Sequence, residues 1–119
     1  MTPEPLTFGN LHAEQTQLSQ EDLPVIDYYN INKAARVLRA LNHRLRQQIL
    51  KTIAENKRIT VTELFVRLRL EQSVASQHLA ILRLAGIVVP ERSGKFIYYR
   101  ISGDRIASIN HLSDGLINA

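Results

Sequence analysis

At Gly86 the spacing of apolar residues changes: before it they recur every three or four positions, and after it every second one. That switch demands helices first and strands afterwards, because side chains share a face every 3.6 residues in a helix and every second residue in a strand. Upstream, Ile31, Ala34, Ala35, Leu38 and Leu41 predict an amphipathic helix, and Leu45, Ile49 and Ile53 a second one. Asn42 or His43 is the break between them, either being able to end one helix and cap the next. Thr60-Val61-Thr62-Glu63 has the spacing of a capping box, with Ile59 and Leu64 placed to form the hydrophobic staple around it. It opens a short helix over 61–68 that should bury Val61, Leu64, Phe65 and Leu68. Leu70-Glu71-Gln72 reads as a turn, and a fourth helix follows over 73–85, stopped by Gly86 in the left-handed conformation. Downstream, Ile87-Val88-Val89 and the run 96–101 are β-branched or aromatic, joined by 90–95 with Ser-Gly at the tip of a hairpin. Ser102 or Asp104 then caps a last helix whose stripe is Ile106, Ile109, Leu112 and Leu116 or Ile117. The fold class is mainly α with a small β-hairpin, and there is no internal repeat.

A chain of 119 residues fits one domain. Its charge is unevenly distributed. Residues 1–27 carry five acidic side chains and no Lys or Arg, a balance of −5, while the remainder carries all fifteen Lys and Arg against six acids, a balance of +9. The first 27 residues also hold three of the four prolines and lack a sustained apolar period, so they read as an acidic arm, with a weakly signalled short helix around Leu11 to Leu18. Residues 28–119 form the folded domain. Its basic balance points toward a polyanion. No apolar run is long enough to span a membrane, and the N-terminus lacks the basic flank and apolar stretch of a secretory signal. The absence of cysteine removes disulfides and thiolate metal sites and favours a cytoplasmic address.

The fourth helix is the candidate reading head. On a wheel, Ala75, His78, Leu79, Leu82 and Ala85 gather on one side, while Ser73, Ser76, Gln77 and Ala80 face the other with Arg83 at one edge. Such a face suits a major groove: small residues permit close approach, hydroxyls and amides reach base edges, and no carboxylate repels the phosphates. An ordinary solvated helix surface would carry Glu and Lys instead. The helix over 61–68, a short turn and this helix have the spacing of a helix-turn-helix. The hairpin adds Arg92 and Lys95 about its tip, suited to a phosphate backbone. His78 faces inward and reads as a packed core histidine. Arg44 and Arg46, opening the second helix, and Lys57 and Arg58, preceding the capping box, are phosphate contacts or solvated surface. One of Tyr98 and Tyr99 should pack inward while the other covers the hairpin. Leu84 sits outward on the reading helix, an odd place for leucine, and would meet the hairpin, a partner chain or the arm.

Four segments carry a resemblance: ALNHRLRQQIL (40–50), ITVTELFVRL (59–68), QSVASQHLAILRLAGIV (72–88) and RSGKFIYYRIS (92–102). Together they resemble the ArsR/SmtB family of small winged helix-turn-helix repressors. The resemblance implies two helices, an optional short strand, the helix-turn-helix pair, the two wing strands and a last helix. It further implies a homodimer, paired through the first and last helices, that binds an inverted-repeat operator on double-stranded DNA. It places Gln72, Ser73, Ser76 and Gln77 where the recognition helix meets the groove. An apolar stripe on each terminal helix is more than one small core can hide, which agrees with a dimer.

The departures matter. Family members that sense metals carry a cysteine pair in the third helix, where Glu63-Leu64-Phe65-Val66-Arg67 stands here, so no soft-metal site is expected. The last helix offers only His111 and Asp114, one turn apart, as an improbable zinc pair. The family's Asp-Pro-Thr-Arg entry to the second helix is replaced by His43-Arg44-Leu45-Arg46. No cofactor, metal or effector is designated by the residues. Enzyme readings fail for want of a nucleophile motif, a phosphate loop or a metalloprotease helix. The alternative of another class is a winged-helix module that binds protein rather than DNA.

Overall fold

In a computed structural model of the chain, which describes residues 22–119, five helices surround a small three-stranded antiparallel sheet. The arm expected over 1–27 falls almost wholly on residues outside that range. The order is α1 (Tyr28–Leu41), α2 (Arg44–Asn56), β1 (Ile59–Thr60), α3 (Val61–Leu68), α4 (Gln72–Leu84), β2 (Val88–Ser93), β3 (Phe96–Ile101) and α5 (Gly103–Ile117). This is the winged helix-turn-helix arrangement, with α3 and α4 as the helix pair and β2–β3 as the wing.

The helix boundaries follow from local chemistry. Asp27 caps α1 by accepting from the Asn30 amide at 3.0 Å. Asn42 and His43 divide the work between α1 and α2: Asn42 closes the first, and the His43 ring accepts from the Arg46 amide to open the second. The capping box of α3 is complete. Thr60 Oγ1 accepts from the Glu63 amide at 3.2 Å, while the Thr60 amide donates to Glu63 Oε1 at 3.0 Å. The Thr60 amide, and then the Thr60 hydroxyl, which also donates to Glu63 Oε1 at 3.1 Å, hold the Glu63 carboxyl below its ordinary pKa. Thr60→Ala should cost about 1 kcal/mol of unfolding free energy, measured by urea denaturation. Because the Glu63 bonds favour its ionised form, part of that cost should disappear as pH falls below the ordinary carboxylate value.

The core lies where α2, α3 and α4 meet the sheet: Ile49, Ile53, Ile59, Leu64, Leu82, Ile87 and Val88 are fully enclosed. Ile59 and Leu64 are the staple pair. Leu64 carries most of the burial of α3, with Val61 and Leu68 packed against the core and Phe65 half-buried. Tyr99 packs inward on the same cluster. The optional strand forms, as the two-residue β1 paired to Tyr98 and Tyr99 of β3.

Two details differ from the sequence reading. The turn between α3 and α4 is centred on Arg69, which adopts the left-handed conformation (φ 56°) while the Leu70 amide bonds back to the Phe65 carbonyl. The left-handed residue that would signal this turn in a sequence is glycine, so α4 begins at Gln72 rather than Ser73. The wing strands are longer than expected, leaving only Gly94 and Lys95 as the loop, because β2 is an edge strand on which Pro90 needs no donor. As the excess of apolar surface over one small core leads one to expect, the apolar stripes of the terminal helices are only partly covered. Ile109 of α5 is buried and Ile106 half-buried, but Ile31, Leu112, Leu116 and Ile117 stand exposed.

Candidate nucleic-acid interface

α4 separates its two faces cleanly. Ala75, Leu79 and Leu82 are buried against the core, while Gln72, Ser73, Ser76, Gln77 and Ala80 are all exposed. The first four of the proposed reading residues thus lie together on the first two turns, and Arg83 is exposed on the last turn of the same helix. No acidic side chain follows Glu71, which caps the helix through its backbone conformation without a side-chain bond. The exposed first turn therefore offers unoccupied amides and the positive end of the helix dipole, both favourable for a phosphate.

The C-terminus of α4 is closed by a Schellman motif. The Ile87 amide donates to the Leu82 carbonyl and the Gly86 amide to the Arg83 carbonyl, both at 2.9 Å, with Gly86 at φ +74°. Ile87 and Leu82 are both enclosed, which supplies the apolar contact that usually accompanies this motif. One residue later the chain is already in β2. The Ser102 amide donates to the Ile87 carbonyl at 2.8 Å, tying the return of the wing to the same point.

On the wing, Arg92 and Lys95 are exposed at the tip, Lys95 lying 5.6 Å from the Phe96 ring. Arg100 and Glu91 form an ion pair across the two strands, so Arg100 is already engaged. Arg58 is a member of this basic surface that the sequence left undecided. Its guanidinium lies over the Tyr98 ring, 4.1 Å from the centroid, a cation–π contact that holds it beside the wing. The signal was present as an aromatic at the outward position of β3, but the register that brings β1 beside it is not visible in a sequence.

Arg46 turns inward rather than toward a phosphate. Its Nε donates to the Ala40 carbonyl at 2.6 Å and its Nη2 to the Arg39 carbonyl at 3.2 Å, satisfying the free end of α1. Its Nη1 faces His78 Nδ1 at 3.2 Å. Arginine can only donate, so His78 accepts there and its ring is neutral. Burial first, then the charges of His43 and Arg46, push the His78 pKa below the ordinary histidine value. The unfolded chain therefore binds this proton more readily. Stability should fall as pH drops through the ordinary histidine range and level off below the folded value. Ring titration by NMR should place the His78 midpoint below that of a histidine in a short peptide.

His111 and Asp114 are both exposed on α5, and among the described residues no three His, Cys, Asp or Glu side chains gather as a metal site requires. Among the same residues no helix is long and apolar enough to cross a membrane.

A helix-turn-helix pair with a polar, acid-free outer face, joined directly to a basic wing, defines a DNA-binding transcriptional regulator of the winged-helix class. Residues 43–89 match the family model described as "Bacterial regulatory protein, arsR family". The chain is 38% identical over 84 residues to the HTH-type transcriptional regulator MJ1325 of Methanocaldococcus jannaschii, covering 71% of this chain and 94% of that protein. It is 39% identical over 79 residues to the transcriptional repressor SmtB of Mycobacterium tuberculosis, covering 66% of this chain and 58% of that one. A crystal structure of the transcriptional repressor PagR of Bacillus anthracis superposes with a TM-score of 0.59 at 30% identity, over 72% of this chain and 99% of that one. The chain belongs to the ArsR family.

Proposed function

We propose that the protein acts as a homodimeric repressor that binds an inverted-repeat operator in the cytoplasm, without catalysis. In this reading Gln72, Ser73, Ser76 and Gln77 read base edges in the major groove, and Arg83, Arg92 and Lys95, with Arg58, hold phosphates. One observation carries it: all four reading residues project to solvent from the first two turns of α4, while the opposite side of that helix is sealed in the core. The dimer is supported by the uncovered stripe of Ile31 on α1 and of Leu112, Leu116 and Ile117 on α5, since apolar residues at helical spacing on terminal helices are the natural substrate of a two-fold interface. SmtB and PagR are both named as repressors.

Selection from a random duplex pool, followed by gel shift on the enriched sequence, tests the reading. The expected product is a two-fold symmetric site whose half-sites lie about one helical turn apart. Affinity for it should fall linearly on a log–log plot against salt, with a slope of about −0.9 per phosphate neutralised. Enrichment of an asymmetric sequence would overturn the dimeric operator. Negligible binding to any duplex at low salt would return the wing and α4 to a protein-interaction role.

A further inference from the structure

A groove of about 760 Å³ opens where α1, the C-terminal end of α4 and the first turn of α5 meet. Its rim carries five cations: Lys33, Arg36 and Arg39 of α1, Arg46 of α2 and Arg105 of α5. Its apolar wall includes Val37, Ile81, Leu84 and Ala85. Among the described residues, no acidic side chain lines it and no carboxylate pairs with any of the five. One of them is held in place: Arg46 is fixed by its bonds to the end of α1. The Arg105 guanidinium lies close over Gly86, 2.8 Å from where a Cβ on that residue would sit. At the lip, Leu84 is 90% exposed. It shares the exposed side of α4 with Gln77 but stands about 10 Å further along the helix axis, at the C-terminal end of that side where the groove opens.

We propose that this groove is a binding site for an acidic, apolar peptide segment, and that its occupant is the chain's own N-terminal arm, residues 1–21. The chemistry of the two is complementary. The arm contributes Glu4, Glu14 and Glu21 and no Lys or Arg, with Leu6, Phe8, Leu11 and Leu18 to meet the wall. Like charges crowded around an apolar hollow repel one another, and carboxylates relieve that repulsion while leucine and phenylalanine remove Leu84 and Ile81 from water. The reach is short. The described chain starts at Asp22 and enters α1 at Tyr28, and the groove runs along α1 between Lys33 and Ala40. Its far end is about 20 Å from the start of α1, a span that about six extended residues cover. A tether this short supplies an effective concentration near the millimolar range, so modest contacts suffice. The site does not depend on the DNA reading, since none of its lining residues belongs to the base-reading set.

The absence of cysteine makes the test direct. Ser19→Cys, carrying a nitroxide label, gives the full-length chain a single paramagnetic centre in the arm. The amide signals of Arg36, Ile81 and Leu84 are expected to broaden several-fold relative to the reduced label. They should recover in about 0.5 M salt, where screening reaches within a few ångströms. Arg36→Glu with Arg39→Glu, both at exposed positions, should abolish the broadening without lowering the melting temperature; the salt series needs no variant. Undiminished groove signals would overturn the proposal, as would broadening centred on Ser73, Gln77 and Lys95. So would broadening that arises only when nitroxide-labelled and isotope-labelled chains are mixed, which assigns the groove to another copy's arm. If Leu84→Asp dissociates the dimer, the groove is instead an interface between copies. Operator binding can fail without affecting any of these readouts.

Discussion

Gln77→Ala is expected to remove about 1–3 kcal/mol of discrimination between the selected operator and random duplex, roughly 5- to 150-fold. Its affinity for random duplex should change little. Lys95→Ala should do the opposite, weakening both duplexes by the same factor and lowering the salt slope by about one. The contrast follows from chemistry and position. An amide on the second turn of α4 has donors and an acceptor to match to a base edge, whereas an ammonium at the tip of the wing carries only charge. Both side chains are exposed, so neither substitution should disturb the core, and the two binding measurements read recognition rather than folding. If both variants lose the same factor on both duplexes, the division between reading and holding is wrong.

The second large effect lies on the other side of the same helix. Leu82 is 0% exposed and anchors both the core and the end of α4. Leu82→Ala should cost about 2–5 kcal/mol. Set against a total near 5–15 kcal/mol for a domain of this kind, that is a large share, visible as a lowered urea midpoint. Whatever folded fraction remains should keep its sequence preference, since no reading residue is altered. A loss below about 1 kcal/mol would mean that the site collapses around the smaller side chain far better than its packing suggests.

Much of this architecture is legible in the residues because local chemistry and long-range packing agree. The capping box at Thr60 and Glu63, the staple of Ile59 and Leu64, and the stop at Gly86 each act within a few positions, so their spacing alone signals them. The exposed polar face of α4 is legible for a related reason: Ser73, Ser76 and Gln77 recur at helical spacing opposite Ala75, Leu79 and Leu82. What escapes depends on contacts between distant segments or on a residue in an uncommon conformation. Arg69 takes the left-handed turn position usually marked by glycine, which shifts the start of α4. Arg46 has the composition of a surface cation, and only the meeting of α1, α2 and α4 turns it into a clamp on the Ala40 and Arg39 carbonyls. Arg58 is assigned to the wing by the pairing of β1 with β3. The stripe of Leu112, Leu116 and Ile117 is legible from spacing alone as more apolar surface than one small core can hide, and all three are exposed.

The Schellman closure of α4 leaves only Ala85, Gly86 and Ile87 between that helix and the wing, and Ser102 pins the far strand to Ile87. Backbone hydrogen bonds thus tie the helix to both strands of the hairpin at one short joint. In the proposed reading, the spacing between base contacts on α4 and phosphate contacts on the wing is set by the backbone. Under the proposed reading, drift toward a new target sequence comes through exchange of side chains on α4 and the wing, and a signal that releases DNA moves helix and wing together.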